Sequence, residues 1–462
     1  MSELTLQVSN ETNHTLAKQI DDQAKEAYAF STGTQAVIFL MPLKMHARER
    51  RIREQMEAPN PNLPAAPVNH IGHQRRLPRA DMVMPYTPNH DTIYSGAALD
   101  VSIEPVILTT PTVTDRYWSV QIAGAYIVNL PYLGTRATGG HGGHYALVGP
   151  DWEGDLPDGV TLYRIPTYSA MCAVRILVED EADLPAVHQV QNQFKLTALS
   201  QWGKSAENTT PASYNRLPPN NFDGELAWLQ DAWQLLQRDR PSAEHAAILK
   251  AFESVGLYMD APFDPDAIDP AFKRGLVRAT KSGHDIVRWK AKYRGTQSAS
   301  YWNVDLVGGS YGFDYLARAE GAVQGLFVHD PEECTYFHTY SDGNNKPLDA
   351  SKQYRLHFNA DQLPPIYEQG FWSITMYKAD YQYAANAINR YAIKDRTPGL
   401  QYNADGSLDL YIQHMPPLGH ESNWLPSAES GIFRLNYRVY LPKPAMLDRQ
   451  QVEHYLPPVQ LV

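Results

Sequence analysis

The stretch Val106–Ile122, VILTTPTVTDRYWSVQI, sets two β-forming runs, Val106–Thr109 and Tyr117–Ile122, around a segment that carries Pro111 and Asp115. Proline cannot donate to a strand ladder and is kept out of central strands, so the middle segment reads as a connection and its flanks as strands. The same texture extends outward from Met82 to about Val178, with further runs at Tyr145–Val148, Leu162–Ile165 and Ala173–Val178. Asp158-Gly159 and the Gly139–Gly143 stretch supply turns. This predicts an antiparallel β-sandwich or barrel. The last third repeats the texture at Tyr354–Phe358, Phe371–Tyr377, Leu408–Gln413 and Phe433–Leu441, with Asp405-Gly406 as a hairpin signal. A second β-sandwich is predicted there. The 34 prolines and 28 tyrosines agree with many short strands bounded by rigid turns.

Helical spacing appears in two places. Leu16, Ile20, Ala24, Ala27 and Tyr28 form one stripe, and the pattern resumes from His46 to Glu57, so Pro42 is expected to kink or separate two helices. Proline and asparagine then crowd residues 59–69, a surface connection. Beyond Leu184, Trp228, Ala232, Leu235 and Leu236 make one stripe and Ile248, Leu249, Phe252 and Val255 another. The fold is therefore mainly β with α. N-terminal helices and linker occupy 1–69, a first β domain 70–184, a helical insert 185–299 and a C-terminal β domain 300–462.

A chain of 462 residues exceeds one hydrophobic core and calls for two or three domains. Its formal charge of -11 opposes adsorption to nucleic acid or anionic lipid. The longest clean apolar stretch, Ala36–Leu43, is interrupted by Pro42 and is far short of the roughly 20 residues that span a bilayer. The N-terminus lacks the pattern of a signal peptide, so a cytoplasmic protein is expected. Cys172 and Cys334 lack metal-ligand spacing and read as buried free thiols.

The sequence holds no GxGxxG, no Walker loop, no GxSxG elbow and no HExxH. Three polar clusters remain. Pro88-Asn89-His90-Asp91-Thr92-Ile93-Tyr94-Ser95 could place a carboxylate beside a histidine and a tyrosine for proton transfer, or close an Asx turn before a strand. In Gly134–His144, GTRATGGHGGH, glycines let the backbone approach a ligand and Arg136 could clamp an anion; a plain hairpin fits equally. His141 and His144 could ligate one metal with a carboxylate from elsewhere. The third cluster gathers Asn389, Arg390, Tyr391, Asp395–Gly399, Asn423 and Trp424, suited to a small polar ligand or to pinning sandwich loops.

The runs PNHDTIYS, GTRATG, ALVGPDW, LPAVHQVQNQF, FWSITMY, NRYAIKDRTPGLQYNADGSLDLYIQH and NWLP resemble the paired bacterial domains DUF1254 and DUF1214, over roughly residues 20–195 and 300–462. The resemblance implies a β-sandwich-like first domain, a helical middle and a jelly-roll-like C-terminal domain. It places Asn89, Asp91, Thr92, Tyr94 and Ser95 on the first domain's motif and Arg136 and Thr138 on its glycine loop. Asn389, Arg390, Tyr391, Asp395, Arg396, Asn423 and Trp424 fall on the second domain's pattern. His90 stands where that pattern usually has Asn, and His141 and His144 are a departure from it. At the C-terminus, Arg449–Val452 replaces the expected Gly-x-Trp.

Together these readings predict an enzyme, a hydrolase or lyase, acting on a small polar or amphipathic molecule in a cleft between the β domains. His90 or Asp91 would be the base, Tyr94 the acid and Arg136 the clamp. Asn89, Thr92, Thr138, Asn389, Arg390, Asn423 and Trp424 would contact the substrate. No cofactor is expected in this reading. The alternatives are a metal-dependent hydrolase using a divalent ion on His141 and His144, and a glycan-binding sandwich without turnover. No nucleic-acid or membrane partner is expected, and self-association into a homo-oligomer is left open.

Overall fold

The computed structural model describes residues 2–83, 87–204 and 212–462, with side chains described from residue 15 onward. Among the described residues the strands form four sheets, paired as two open sandwiches. In the first sandwich one sheet has the order Gly72–His73, Thr92–Asp100, Ser169–Leu177, Trp118–Gly124, Leu133–Gly134. Its partner runs Val160–Arg164, Gly143–Val148, Val106–Thr110, Lys195–Ala198. Ile93, Leu99, Val106, Leu108, Trp118, Val120 and Val174 fill the space between them. The second sandwich joins a sheet ordered Thr296–Gln297, Asn303–Asp305, Cys334–Thr339, Phe433–Pro442, Ile366–Lys378, Ala392–Lys394 to one ordered Trp424–Pro426, Leu408–Gln413, Tyr354–Phe358, Val459–Leu461.

Several expectations change. The ladders are not all antiparallel: Gly143–Val148 pairs parallel with Val160–Arg164, and Leu408–Gln413 parallel with Trp424–Pro426. Asp158-Gly159 therefore ends a crossover and turns no hairpin. Asp405-Gly406 closes a local turn, with Asn403 N–H donating to Ser407 O at 2.8 Å, and joins no two neighbouring strands. Lys195–Ala198 pairs with Val106–Thr109, carrying the first sandwich past residue 184. Helix Tyr315–Gln324 lies within the range read as purely β.

Pro42 separates nothing. One helix, Ser2–Arg53, runs through it, because Ala36–Met41, Leu43 and Ala47 are all buried and tertiary packing outweighs one lost N–H bond. This helix packs along Pro270–Lys292, and with Ala227–Arg238 and Ala246–Glu253 it forms a helical layer around Phe39, Leu40, Trp233, Leu236 and Phe252. The approach of the two long helices needs missing side chains: a Cβ on Gly275 would lie 2.4 Å from Glu26 O, and one on Gly283 2.6 Å from Val37 Cγ1. Among the described residues no helix is long and apolar enough to cross a membrane. Cys172 and Cys334 are buried free thiols, and burial pushes Cys172 up to about 12.

Alanine is the better helix former, yet Gly275→Ala is expected to destabilise the protein by about 1–3 kcal/mol by forcing the helices apart. The midpoint of urea unfolding checks this.

Candidate functional site

Strand Phe433–Pro442 is buried at every position, so both its faces are covered. Phe433, Leu435, Tyr437 and Val439 enter the second sandwich's core. Period two then places Arg434, Asn436, Arg438 and Tyr440 on the opposite face. The first sandwich does the same: Cys172, Val174 and Ile176 face its core, while Arg175 lies opposite Tyr94 on the next strand. These two polar faces press together. Asn89 Nδ2 donates to Tyr440 Oη at 2.9 Å, and Tyr117 Oη to Glu333 Oε1 at 2.7 Å.

The PNHD segment is a plug into the second sandwich. Pro88 O accepts from Tyr377 and Tyr383, and His90 O accepts from Lys394 Nζ at 2.7 Å. Asp91, fully buried, accepts from Ser373 Oγ at 2.5 Å and Arg396 Nη2 at 3.3 Å, while its N–H donates to Asn89 Oδ1 at 2.8 Å. That last bond is the Asx turn. Burial opposes the charge on Asp91, but Lys394, Arg396 and the Ser373 hydroxyl outweigh it and hold the carboxyl below its ordinary value. Burial, then Lys394, pushes His90 down to about 4, and burial pushes Lys394 down to about 8. Neither His90 nor Asp91 lines the large cavity described below.

The glycine loop also turns inward. Arg136 Nε donates to Glu333 Oε2 at 2.6 Å, a further inter-domain tie. Thr138 Oγ1 bonds Gly134 and His141 O, closing the loop on itself. Gly134, Gly140 and Gly142 admit backbone rather than ligand: a Cβ on Gly140 would sit 2.4 Å from Val113 O. His141 is exposed, and His144 Nδ1 meets Thr109 Oγ1 at 3.0 Å with its ring against Trp202. Among the described residues no three His, Cys, Asp or Glu side chains are grouped to hold a metal, so the histidine pair lacks a third protein ligand.

The C-terminal cluster pins loops. Arg390 Nη1 donates to Glu421 O and Trp424 O, Asn423 Nδ2 to Gln401 O and Asp409 O, and Trp424 Nε1 to Gln413 O. Asn389, exposed at φ 50°, accepts from Tyr391 Oη. None of the four lines the cavity.

Where the two polar faces do not meet they leave a cavity of about 480 Å³. Tyr94, Met171 and Arg175 form one wall, and Tyr336, Arg434, Asn436, Arg438 and Tyr440 the other. The end of the first helix (Ile52, Arg53, Met56), the connection Asn60–Ala65 and the segment Gly325–Val328 complete it. Asn89 and Tyr94 are thus the predicted site residues on the cavity; Thr92, buried, only accepts from Asn89 Nδ2 at 3.1 Å. Burial opposes ionisation of Tyr94. The Arg175 guanidinium carbon, 5.0 Å from the ring centroid, the Asn89 amide and Arg438 outweigh it and hold the phenol below its ordinary value. Arg175 Nη1 donates to Gln121 Oε1 at 2.5 Å and Nη2 to Phe327 O at 2.6 Å, and its Nε has no partner among the described residues. Loop motifs could not reveal Arg175, Arg434 or Arg438. Their signal is alternation, arginine at every fourth position of the FRLNYRVYL strand and a lone arginine in the apolar run AMCAVRIL.

A family described as "Protein of unknown function (DUF1254)" matches residues 68–198, and one described as "Protein of unknown function (DUF1214)" matches 333–444. The chain is similar in structure to the VPA0106 protein from Vibrio parahaemolyticus. Identity is 22%, the TM-score 0.70, and the match covers 94% of this chain and 100% of that one. A protein from Burkholderia cenocepacia matches at 13% identity and a TM-score of 0.43, over 94% of each chain. The former likeness shows the shared fold. No curated protein matches the chain.

Asp91→Asn is expected to lower unfolding free energy by about 3–5 kcal/mol near neutral pH, because Arg396 and Lys394 would lose the buried charge they surround. Asp91 has its pKa lowered by folding, so its contribution is present above the ordinary carboxyl value and lost as pH falls through the depressed one. Urea titrations at pH 7 and in acid should show the gap between wild type and variant closing in acid.

Proposed function

We propose that this chain, a member of the family that pairs a DUF1254 with a DUF1214 domain, is an enzyme acting on a small amphipathic molecule in the cavity between its sandwiches. Tyr94 is the group that exchanges a proton with it. The observation that supports this reading is a phenol held below its ordinary value on the wall of a cavity that both domains build. A phenol that ionises more easily serves as base in one step and acid in the next, as hydrolysis and elimination both require. Asn89 Nδ2, 3.2 Å from Tyr94 Oη, fixes the phenol's position. In this reading the roles first assigned to His90 and Asp91 pass to Tyr94, and the clamp role of Arg136 passes to Arg175 and Arg438. A lectin-like platform fits less well, since Tyr94, Tyr336 and Tyr440 lie among guanidiniums rather than in an exposed row. A cytoplasmic setting belongs to the same proposal, supported by two thiols that remain free.

The test is a turnover screen of esters, lactones, amides and β-hydroxy acids. Tyr94→Phe is expected to lower kcat by about 10²–10⁴ with an unchanged melting temperature. With Tyr94 as base, kcat/KM rises with pH through a pKa below the ordinary phenol value of about 10, and the variant loses that limb. Full turnover by Tyr94→Phe overturns the assignment.

A further inference from the structure

Several buried or half-buried arginines of this chain face a carboxylate. Arg50 is paired with Asp100, Arg51 with Asp231, Arg116 with Asp183 and Arg238 with Asp239. Two half-buried arginines on the cavity wall are paired as well, Arg53 with Glu49 and Arg294 with Asp305. Among the described residues Arg175, Arg434 and Arg438 have no carboxylate within 4.0 Å, although they are only 4%, 8% and 4% exposed. Their hydrogen-bond partners are neutral, and the buried carboxylates that act on them, Asp91 on Arg438 and Glu333 on Arg175, do so from beyond 4.0 Å. Arg434 Nε donates to Asn436 Oδ1 at 2.8 Å and Nη1 to Tyr340 Oη at 2.8 Å; Arg438 Nη1 donates to Thr375 Oγ1 at 3.1 Å and Nη2 to Tyr377 Oη at 2.9 Å. Arg318, another buried guanidinium without a carboxylate, is caged by the rings of Phe39, Tyr126 and Tyr315 instead.

A buried charge without a counter-charge is costly unless a ligand supplies one. The whole chain carries -11, so a local excess of cations is not a reflection of composition. Glu49 and Asp305 balance only two of the five lining arginines. Elsewhere the wall is mixed, and its apolar part is Ile52, Met56, Leu63, Met171, Leu326 and Phe327. Planar guanidiniums match a carboxylate's two oxygens, and an apolar wall matches a hydrocarbon chain.

We propose that the molecule bound here is an organic carboxylate carrying an apolar chain, its carboxylate held by Arg175, Arg434 and Arg438 and its chain lying toward Ile52, Met56 and Leu326. This deepens the proposed enzymatic reading and rests on its choice of cavity, but it concerns binding and not turnover. With the head group on these arginines, Tyr94 stands beside the carboxylate end of the ligand.

Calorimetry of the full chain with octanoate, octan-1-ol, octyl phosphate, acetate and inorganic phosphate tests it. Octanoate is expected to bind at least about tenfold more tightly than octan-1-ol, acetate or inorganic phosphate, a difference of about 1.4 kcal/mol or more. Arg438→Gln should remove that preference over the alcohol. If that variant fails to fold, Arg434→Gln serves, with a partial loss expected. Equal affinity for octanoate and octan-1-ol, no binding of octanoate, or an unchanged preference in the folded variant overturns the proposal. Octyl phosphate binding about tenfold more tightly than octanoate would also overturn it, in favour of a phosphorylated ligand. Octanoate binding without turnover in any screen sinks the enzymatic reading and leaves this one standing. Turnover of neutral substrates by a protein indifferent to octanoate does the reverse.

Discussion

The structure depends on a polar layer buried between two sheets. Each sandwich has an ordinary apolar core, but one sheet of each is covered on its second face as well, and those second faces carry arginine, tyrosine, asparagine, serine and threonine. Apolar faces can slide against one another with little penalty. Polar faces cannot, because each buried donor or acceptor must find its partner or lose hydration without return. Asp91 between Ser373 and Arg396, Glu333 between Tyr117 and Arg136, and Asn89 against Tyr440 therefore fix the relative placement of the domains.

The cavity follows from the same layer. Side chains of both faces line it, and the connection Asn60–Ala65 lies against strands Gly72–His73 and Thr92–Asp100. A Cβ on Gly96 would lie 2.4 Å from Pro64 O, so the strand and the connection meet backbone to backbone. Helix Ser2–Arg53 brings its last turn to the cavity, and its basic residues there are partly neutralised by Glu49 and Glu54. The guanidiniums deeper in have no carboxylate in direct contact, and Asp91 and Glu333 act on Arg438 and Arg175 only from farther off. Histidines near them add no charge: burial and neighbouring arginines hold His329 and His338 far below the ordinary imidazole value, leaving both neutral.

Much of the architecture is readable in the chain. Tyr354–Phe358 and Leu408–Gln413 are strands over the predicted residues, and Trp228, Ala232, Leu235 and Leu236 sit on helix Ala227–Arg238. The site is less readable. Loop motifs draw attention to polar residues in turn-rich company, and for Asp91, Arg136 and Asn423 that company reflects anchoring: each is consumed by bonds that hold a loop or a domain contact. Arg175 and Arg438 sit inside strands, where an isolated arginine looks like a solvent-facing position. Only the second covered face makes them buried.

Local chemistry determined what could be settled locally. Proline and glycine positions delimit strands, apolar periodicity selects helices, and alternation in FRLNYRVYL assigns inner and outer faces, because each rests on neighbours a few residues away. What the outer faces meet was decided by the tertiary structure. Tyr94 and Arg175 come from one sandwich and Arg438 and Tyr440 from the other, separated by hundreds of residues, and no short-range pattern encodes their convergence. The same holds for Pro42, whose helix persists because distant side chains bury both of its flanks.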